Sequence, residues 1–441
     1  MLKLCLALPV FYPIFGGGPL RFMRYQPGLR KRDIHARILA GTARSKDDFH
    51  TGQPGHGLDG DDHSIGSMLP IEHVEGSPVH RVCLPDVSSI RRTSAYFRAL
   101  IALCQNPATR PDVIQLHSFE RLESLFWLSR LRRLDIPILY AIQIARPGAH
   151  RSAMADRLKT SMQKAFYNHF DGVITNSEPI SRHLRAIGVR TPIAVISNGV
   201  DLDQFRPCLD DVARSRARRS LGIKGSGPVI LSVGAVCPRK GSDLLIEAWT
   251  KLQRRHSDVE LVLVGPRHDR NNPSLRRFGA RLRRLIADSP HPDRIHFTGV
   301  RDDMNEVYGA SEIVVLPSSR EGMPNVVLEA MACERPVVLT PFEGQSESIG
   351  RPGVEFVQSQ RTPDALAENL ATLLGDRDRR NDLVRHGKAW VKRNLDLERS
   401  LDHFAEFYRQ TAAGTRSFTM SHEMRPILSK TNAFPARVHP S

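Results

Sequence analysis

The stretch from Ile313 to Thr340 reads IVVLPSSREGMPNVVLEAMACERPVVLT. An apolar run, IVVLPS, leads into a turn holding Gly322 and Pro324, then a helical pattern from Asn325 to Cys333, then a second apolar run, PVVLT. Strand, helix and strand at these lengths predict a parallel pair with a helix packed across one face. Pro324 is placed to begin the helix, where its missing N–H costs nothing. The N–H groups of Asn325, Val326 and Val327 are then free, and with the helix dipole they favour an anion such as a diphosphate. Glu321 and Glu329 stand eight residues apart on either side of this break. Gly322 and Pro324 keep the two acids off a common helix face, so they read as separate acceptors for hydroxyl groups and not as an acid/base pair.

The same alternation extends in both directions. Upstream, LCLAL, ARILAG, VIQLH, ILYAIQI, GVITN and IAVIS are strand candidates, mostly separated by helical stretches. Around the opening stretch, VILSVG, VELVLVG, IHFTG and VEFV complete a second set. Residues 42–80, rich in Gly, Asp and His, read as a loop with one short hairpin at VEGSPVHRV. The expected class is α/β, with doubly wound parallel layers. The charged segment 203–228 interrupts the alternation and marks the boundary between two Rossmann-like domains. We expect these at 1–205 and 206–394, with a helix near 395–412 returning to the first domain and a flexible tail at 413–441. Ligands of open parallel sheets bind outside the carboxyl ends of the strands, so the motifs should line a cleft between the domains.

The chain has 441 residues, long enough for two cores, with 40% hydrophobic and 25% charged residues, a globular composition. Lacking a run of about 18 apolar residues, it is not expected to cross a bilayer as a helix. The apolar start LKLCLALPVFYPIF, followed by Gly16, Gly17 and Gly18, reads as a buried first strand and glycine turn, not a secretion signal. Its 6 cysteines show no CxxC pairing and its 18 histidines no ligand spacing. That predicts a reducing, cytoplasmic setting and no metal. Sixty-three basic against 47 acidic residues give +16, an attraction for polyanions. The arginines of SLRRFGARLRRLI read as a solvated helix face or as a patch toward an anionic membrane. Charge alone, with no recognised motif, does not support a nucleic-acid partner.

Two further loops can meet an anion. In PVFYPIFGGGPLRF, glycines at a strand-to-helix turn let backbone N–H groups approach a phosphate, but Arg21 occupies the third glycine place of a dinucleotide fingerprint. In VGAVCPRKGSDLLIEAW, the lysine precedes the glycine, which rules out a P-loop, yet Arg239 and Lys240 at the mouth of the loop suit an anionic group.

Taken together, these motifs resemble the retaining glycosyltransferases of family 4, which have the GT-B fold. GGG, FDGVITNSEPI, ISNGVDLDQF with Pro207, VGAVCPRKG, LVLVG, FTGV, LPSSREGMPNVVLEAMA and FEGQSESI follow in the family's order over roughly residues 5–350, and Glu321 to Glu329 looks like its E-x7-E motif. The resemblance implies two Rossmann-like domains facing a central cleft and a nucleotide sugar, UDP- or GDP-linked, as substrate, with no other cofactor. Lys240 with Arg239 would hold the diphosphate. Gly17 and Gly18 would approach it from the first domain. Glu321 would contact the sugar, with Gly322, Met323, Pro324, Asn325 and Val326 around it, and Glu329 would contact the ribose. His117, in VIQLHSFE, resembles the family's strand-end histidine and would act with Glu321 at the reacting centre. No metal is implied, because lysine and helix N-termini supply positive charge. Departures are Ala235 in place of an arginine, Gln143 in place of a second histidine, and Glu334 in place of a helix-ending glycine, where a left-handed cap would cost about 1 kcal/mol.

The leading expectation is a hexosyltransferase acting on a glycan, polyprenyl-linked or lipid acceptor, in polysaccharide or glycolipid synthesis, peripheral to the inner face of the cell membrane. The alternatives are a sugar-nucleotide epimerase of the same fold and a non-catalytic sugar-nucleotide-binding protein.

Overall fold

Strand β12 (Ile313–Leu316), helix α10 (Asn325–Ala332) and strand β13 (Val337–Leu339) form the expected unit, with β12 and β13 parallel. The computed structural model describes residues 1–11, 17–41, 65–84, 88–143, 153–207, 210–267 and 273–414. Two separate sheets organise them.

The first sheet contains β1 (Leu2–Leu8), β2 (Ile34–Gly41), β3 (Glu72–Val74), β4 (Ser77–Val82), β5 (Val113–Leu116), β6 (Ile138–Ile142), β7 (Gly172–Thr175) and β8 (Ile193–Val195). Their order is β3-β4-β2-β1-β5-β6-β7-β8. All pairings are parallel except that of edge strand β3 with β4. The expected hairpin therefore exists, but β4 is a full member of the sheet, paired parallel to β2. Helices α1 (Gly17–Lys31), α2 (Ser89–Gln105), α3 (Leu122–Leu131), α4 (Ala153–Tyr167) and α5 (Glu178–Ala186) cover it.

The second sheet runs β11-β10-β9-β12-β13-β14, all parallel. Its other strands are β9 (Val229–Val233), β10 (Glu260–Val264), β11 (Ile295–Gly299) and β14 (Val357–Gln358). Beside α10 lie α6 (Asp211–Ser220), α7 (Ser242–Leu252), α8 (Pro273–Ala287), α9 (Met304–Gly309), α11 (Pro363–Gly375) and α12 (Arg377–Asn394). The charged segment 203–228 is thus not featureless. Asp210 caps α6 by accepting from the Val212 N–H, and Ala217 and Leu221 are buried in the same cluster as Val307 and Tyr308 of α9.

The strands read as near-continuous apolar runs because helices cover both faces of each sheet. One cluster on the first sheet joins Leu4, Leu6, Phe22, Tyr25 and Ile174 to Leu401, Phe404 and Tyr408 of the last helix, α13 (Leu397–Ala412). The chain therefore leaves the second sheet and returns to the first. The arginines of α8 point outward, while Phe278 and Leu282 are buried; Arg281 pairs with Glu247 at 2.8 Å and Asp243 at 3.5 Å.

Two topological switch points position the site. The order reverses between β1 and β5 in the first sheet and between β9 and β12 in the second. Loops diverge there, leaving a crevice at the carboxyl ends of the strands. The loops after β1, β5, β9 and β12 carry the glycine turn, His117, the Arg239–Lys240 loop and the turn before α10.

Candidate functional site

The loop after β9 needs two glycines. Gly234 has φ +145°, and a Cβ there would stand 2.9 Å from Cε of Lys240, so the lysine stem lies over the bare backbone. Gly241 has φ +69° and abuts the Pro317 carbonyl, bringing this loop against the one after β12. Arg239 ties the two together. Its carbonyl accepts from the Ser319 N–H at 2.8 Å, and its guanidinium donates to the Arg320 carbonyl at 2.8 Å.

Lys240 Nζ lies 2.8 Å from Glu321 Oε1, and Arg239 Nη1 lies 3.1 Å from the same oxygen. Burial pushes the Glu321 carboxyl up, but Lys240 and Arg239 outweigh it and hold the group below the usual carboxylate range. The two loops, read separately in the sequence, converge on one ion cluster.

Helix α10 begins at Asn325, as expected, and ends at Ala332, one residue before Cys333. Pro324 (φ −78°, ψ 97°) is the cap and not the first helical residue, and its carbonyl accepts from the Val327 N–H at 3.0 Å. Of the three N–H groups expected to be free, Val327's is therefore used. Those of Asn325 and Val326 have no acceptor among the described residues. At the other end Glu334 adopts φ +58° despite its side chain. Its N–H donates to the Met331 carbonyl at 3.1 Å and that of Arg335 to the Ala330 carbonyl at 2.9 Å, so the glycine-type cap forms without glycine. Lys388 pairs with the displaced Glu334 carboxylate at 2.6 Å.

Glu329, on α10, is 7% exposed and faces the first domain. Arg24 of α1 donates to its Oε1 at 2.9 Å and Tyr308 to its Oε2 at 2.8 Å. Neither partner, 305 and 21 residues away, was visible from the motif. Glu321 and Glu329 hold different partners.

The first domain closes over this region at three points. The Gly322 Cα packs against the Gln143 carbonyl at the end of β6 so closely that a Cβ would stand 1.8 Å from that oxygen. Asn176 donates to the same carbonyl at 3.0 Å. Asn198, in the ISNGV loop after β8, donates to Asn325 Oδ1 at 2.7 Å and to the Met323 carbonyl at 3.4 Å. A small cleft remains between α1 and α10, lined by Arg21, Arg24, Tyr25, Asn325 and Glu329. Gly17 and Gly18 form the start of α1; Gly16 lies outside the described residues.

His117 follows β5 and is 4% exposed. Gln115 Nε2 donates to its Nε2 at 2.7 Å, and Tyr408 of α13 donates to Gln115 Oε1 at 2.7 Å. Phe22 meets the ring edge-on, with centroids 4.5 Å apart. Burial first, then the Arg21 cation, drive the imidazole well below its usual range, so it is neutral. With Nε2 accepting, the proton sits on Nδ1, which is buried without a partner in hydrogen-bond geometry.

Comparison with known proteins fits this geometry. The family model described as "Glycosyl transferase 4-like domain" matches residues 16–199, and the one described as "Glycosyl transferases group 1" matches residues 227–376. A lipopolysaccharide core biosynthesis mannosyltransferase of Rhizobium meliloti is 25% identical over 80% of this chain and 94% of its own. A GDP-mannose-dependent alpha-(1-6)-phosphatidylinositol monomannoside mannosyltransferase of Mycobacterium tuberculosis is 29% identical over 52% of this chain; the match spans only 59% of that enzyme's length. Among solved structures, sucrose-phosphate synthase of Thermosynechococcus elongatus superposes with TM-score 0.71 at 19% identity, covering 94% of this chain and 100% of that one. Anabaena HepE in complex with UDP and glucose superposes with TM-score 0.70 at 20% identity, covering 93% and 100%. With one family model matching the residues of each sheet and the fold shared with these glycosyltransferase structures over more than nine-tenths of the chain, the chain belongs to the group 1, family 4-like glycosyltransferases and has the GT-B fold.

Proposed function

We propose that this protein is a retaining, metal-independent glycosyltransferase that moves a hexose from a nucleotide-diphosphate sugar to a glycan or lipid-linked acceptor. The observation that carries the proposal is the ion cluster at the second switch point. Lys240, Arg239 and the open N–H groups of Asn325 and Val326 crowd positive charge, and among the described residues Glu321 alone pairs with the two side chains. A diphosphate would take over Lys240 and Arg239 and release the Glu321 carboxylate to accept from sugar hydroxyls. Glu329 would accept from the ribose hydroxyls, with Arg24 and Tyr308 holding it in place. Residues 206–394 are assigned to the donor and 1–205 to the acceptor.

The bonds balance without a covalent enzyme intermediate. The acceptor oxygen bonds to the anomeric carbon as the bond from that carbon to the phosphate oxygen breaks, and the acceptor proton passes to that oxygen on the same face. Lys240, Arg239 and the α10 N-terminus stabilise the charge that develops on the leaving diphosphate. Neutral His117, with Nε2 held by Gln115 and Nδ1 buried beside the Ala141 carbonyl, is suited to orient the sugar or the acceptor and not to take a proton.

The relatives named for mannose and for phosphatidylinositol or lipopolysaccharide support a sugar nucleotide and a lipid-linked acceptor. Among the described residues no helix is long and apolar enough to cross a membrane. Contact with an anionic leaflet would therefore be peripheral, through basic faces such as α8. Co-sedimentation with anionic vesicles at low salt tests that part, and its absence would remove it. The donor assignment is tested by thermal shift with UDP-, GDP- and ADP-sugars. One of them should raise the melting temperature by mass action, and Lys240→Ala should remove the shift. Shifts that survive Lys240→Ala would place the donor elsewhere.

A further inference from the structure

Arg21 is the most deeply buried cation beside the cleft, at 6% exposure, and no carboxylate pairs with it among the described residues. It stands one turn before Arg24 on α1, but only Arg24 reaches Glu329. Its one hydrogen-bond partner among the described residues is neutral: Nη1 donates to Asn198 Oδ1. Its Nε is buried without an acceptor. The rings of Phe22 and Tyr25, with centroids 4.7 Å and 5.8 Å from the guanidinium carbon, supply some cation–π attraction. Burial pulls the guanidinium down from its usual value, yet arginine stays charged. A buried charge without a counterion is costly, and proteins retain one where a ligand completes the pair.

The surroundings say which ligand. Asn198, which holds Arg21, also donates to Asn325 at the first position of α10. Arg21 therefore approaches, from the first domain, the helix end whose Asn325 and Val326 N–H groups are open. Two electropositive sources meet across the domain boundary; Glu329 and Asp201 also line this cleft, but Glu329 is held by Arg24 and Tyr308, and neither acid pairs with Arg21. Resting on the donor site described above, we propose that Arg21 is a phosphate-binding residue, which completes from the first domain an anion pocket otherwise built by α10 and Lys240. Phosphate would accept from Nε and the remaining Nη hydrogens, and Asn198 would hold the fork in position. Because the pocket closes only when both domains contribute, Arg21 would also couple anion binding to the closed arrangement.

The phosphate could belong to the donor diphosphate or to a phosphorylated acceptor, and the probes separate the two. Pyrophosphate, UDP, GDP, uridine, guanosine and geranyl monophosphate are titrated by calorimetry into wild type, Arg21→Met and Arg21→Lys, and the melting temperature of each free protein is recorded. Arg21→Met removes an uncompensated charge while keeping an apolar stem against Phe22, so the free protein should melt no lower than wild type. Its affinity for pyrophosphate and the preferred nucleoside diphosphate should fall at least tenfold, with nucleoside binding unchanged. Arg21→Lys keeps the charge but loses the fork, and should lie between the two; it also decides the matter if the Met variant fails to fold. A loss confined to geranyl monophosphate would place the phosphate on the acceptor. Unchanged affinity of both variants for every phosphate, with Arg21→Met melting several degrees lower, would make Arg21 a packing residue and overturn the proposal. If wild type binds pyrophosphate through Arg21 but no nucleoside diphosphate, the donor reading fails and the anion pocket stands.

Discussion

Replacing Gly322 with alanine isolates the contact between the two domains. Gly322 does not need glycine for its backbone conformation, since it is absent from the residues with positive φ. What the position lacks is room. An added Cβ would stand 1.8 Å from the Gln143 carbonyl oxygen and 3.2 Å from Asn176 Nδ2. An ordinary contact begins near 3.4 Å, so about 1.6 Å (3.4 − 1.8) must be recovered. The obstacle is backbone at the end of a buried strand and not a flexible side chain, so the shift must come from opening the cleft. Misplacement by about 1 Å costs on the order of 100-fold in rate, or about 2.7 kcal/mol. Gly322→Ala should therefore lose about 100-fold in turnover. Its thermal unfolding should change little, because each domain keeps its own core. Steady-state transfer assays and melting curves on the same preparation read the two effects. A variant within threefold of wild type would show that catalysis does not require this closed contact.

Three other perturbations probe separate parts of the molecule. Glu329→Gln keeps the shape but weakens the acceptor held by Arg24 and Tyr308; affinity for the nucleoside diphosphate should fall about tenfold, or 1.4 kcal/mol, by calorimetry, and an unchanged affinity would remove Glu329 from the ribose site. His80, His117 and His403 all have lowered values, His80 to about 4, each because burial disfavours the charged ring first and a nearby arginine adds to it. Since the unfolded chain then binds more protons, stability is full above about pH 6.5 and falls as pH drops toward the folded values, by up to about 1.4 kcal/mol per pH unit for each histidine; urea midpoints at pH 7.5 and 5.5 should show the drop, and a flat profile would contradict it. Phe404→Ala empties a site on α13 that is 2% exposed and packs 5.7 Å from the Tyr25 ring; a loss of about 3–5 kcal/mol is expected, and a loss under about 1 kcal/mol would mean that α13 is loosely attached.

The architecture was legible because both sheets are covered on both faces, which writes buried strands as apolar runs. Each run read as a strand lies in one of the two sheets, although VEFV contributes only Val357. What the pattern could not show was pairing. The strand Ser77–Val82 looked like half of a local hairpin, and only the sheet reveals its parallel partner, 41 residues upstream, with Ile38 beside Val79. Segment 203–228 looked like a linker because its helix buries little more than Ala217. The two loops of the ion cluster were each visible, but not that Lys240 closes on Glu321. Arg24, Tyr308 and Asn198 escaped notice for the same reason, since their meaning lies in contacts between distant segments. Glu334 misled in the opposite way: a missing glycine suggested a different helix end, yet the left-handed cap forms and Lys388 pairs with the strained residue.

Transfer of a hexose from a nucleotide sugar is read from the products. Purified protein is incubated with isotopically labelled UDP- and GDP-hexoses, each with and without a lipid-linked or glycan acceptor fraction, and products are identified by mass spectrometry and NMR. A transferase of this kind should put label in a new glycoside with the donor's anomeric configuration, release one nucleoside diphosphate per transfer, and depend on acceptor, Lys240 and Glu321. Epimerised sugar from donor alone, or no consumption of any donor under conditions where one binds, would contradict it.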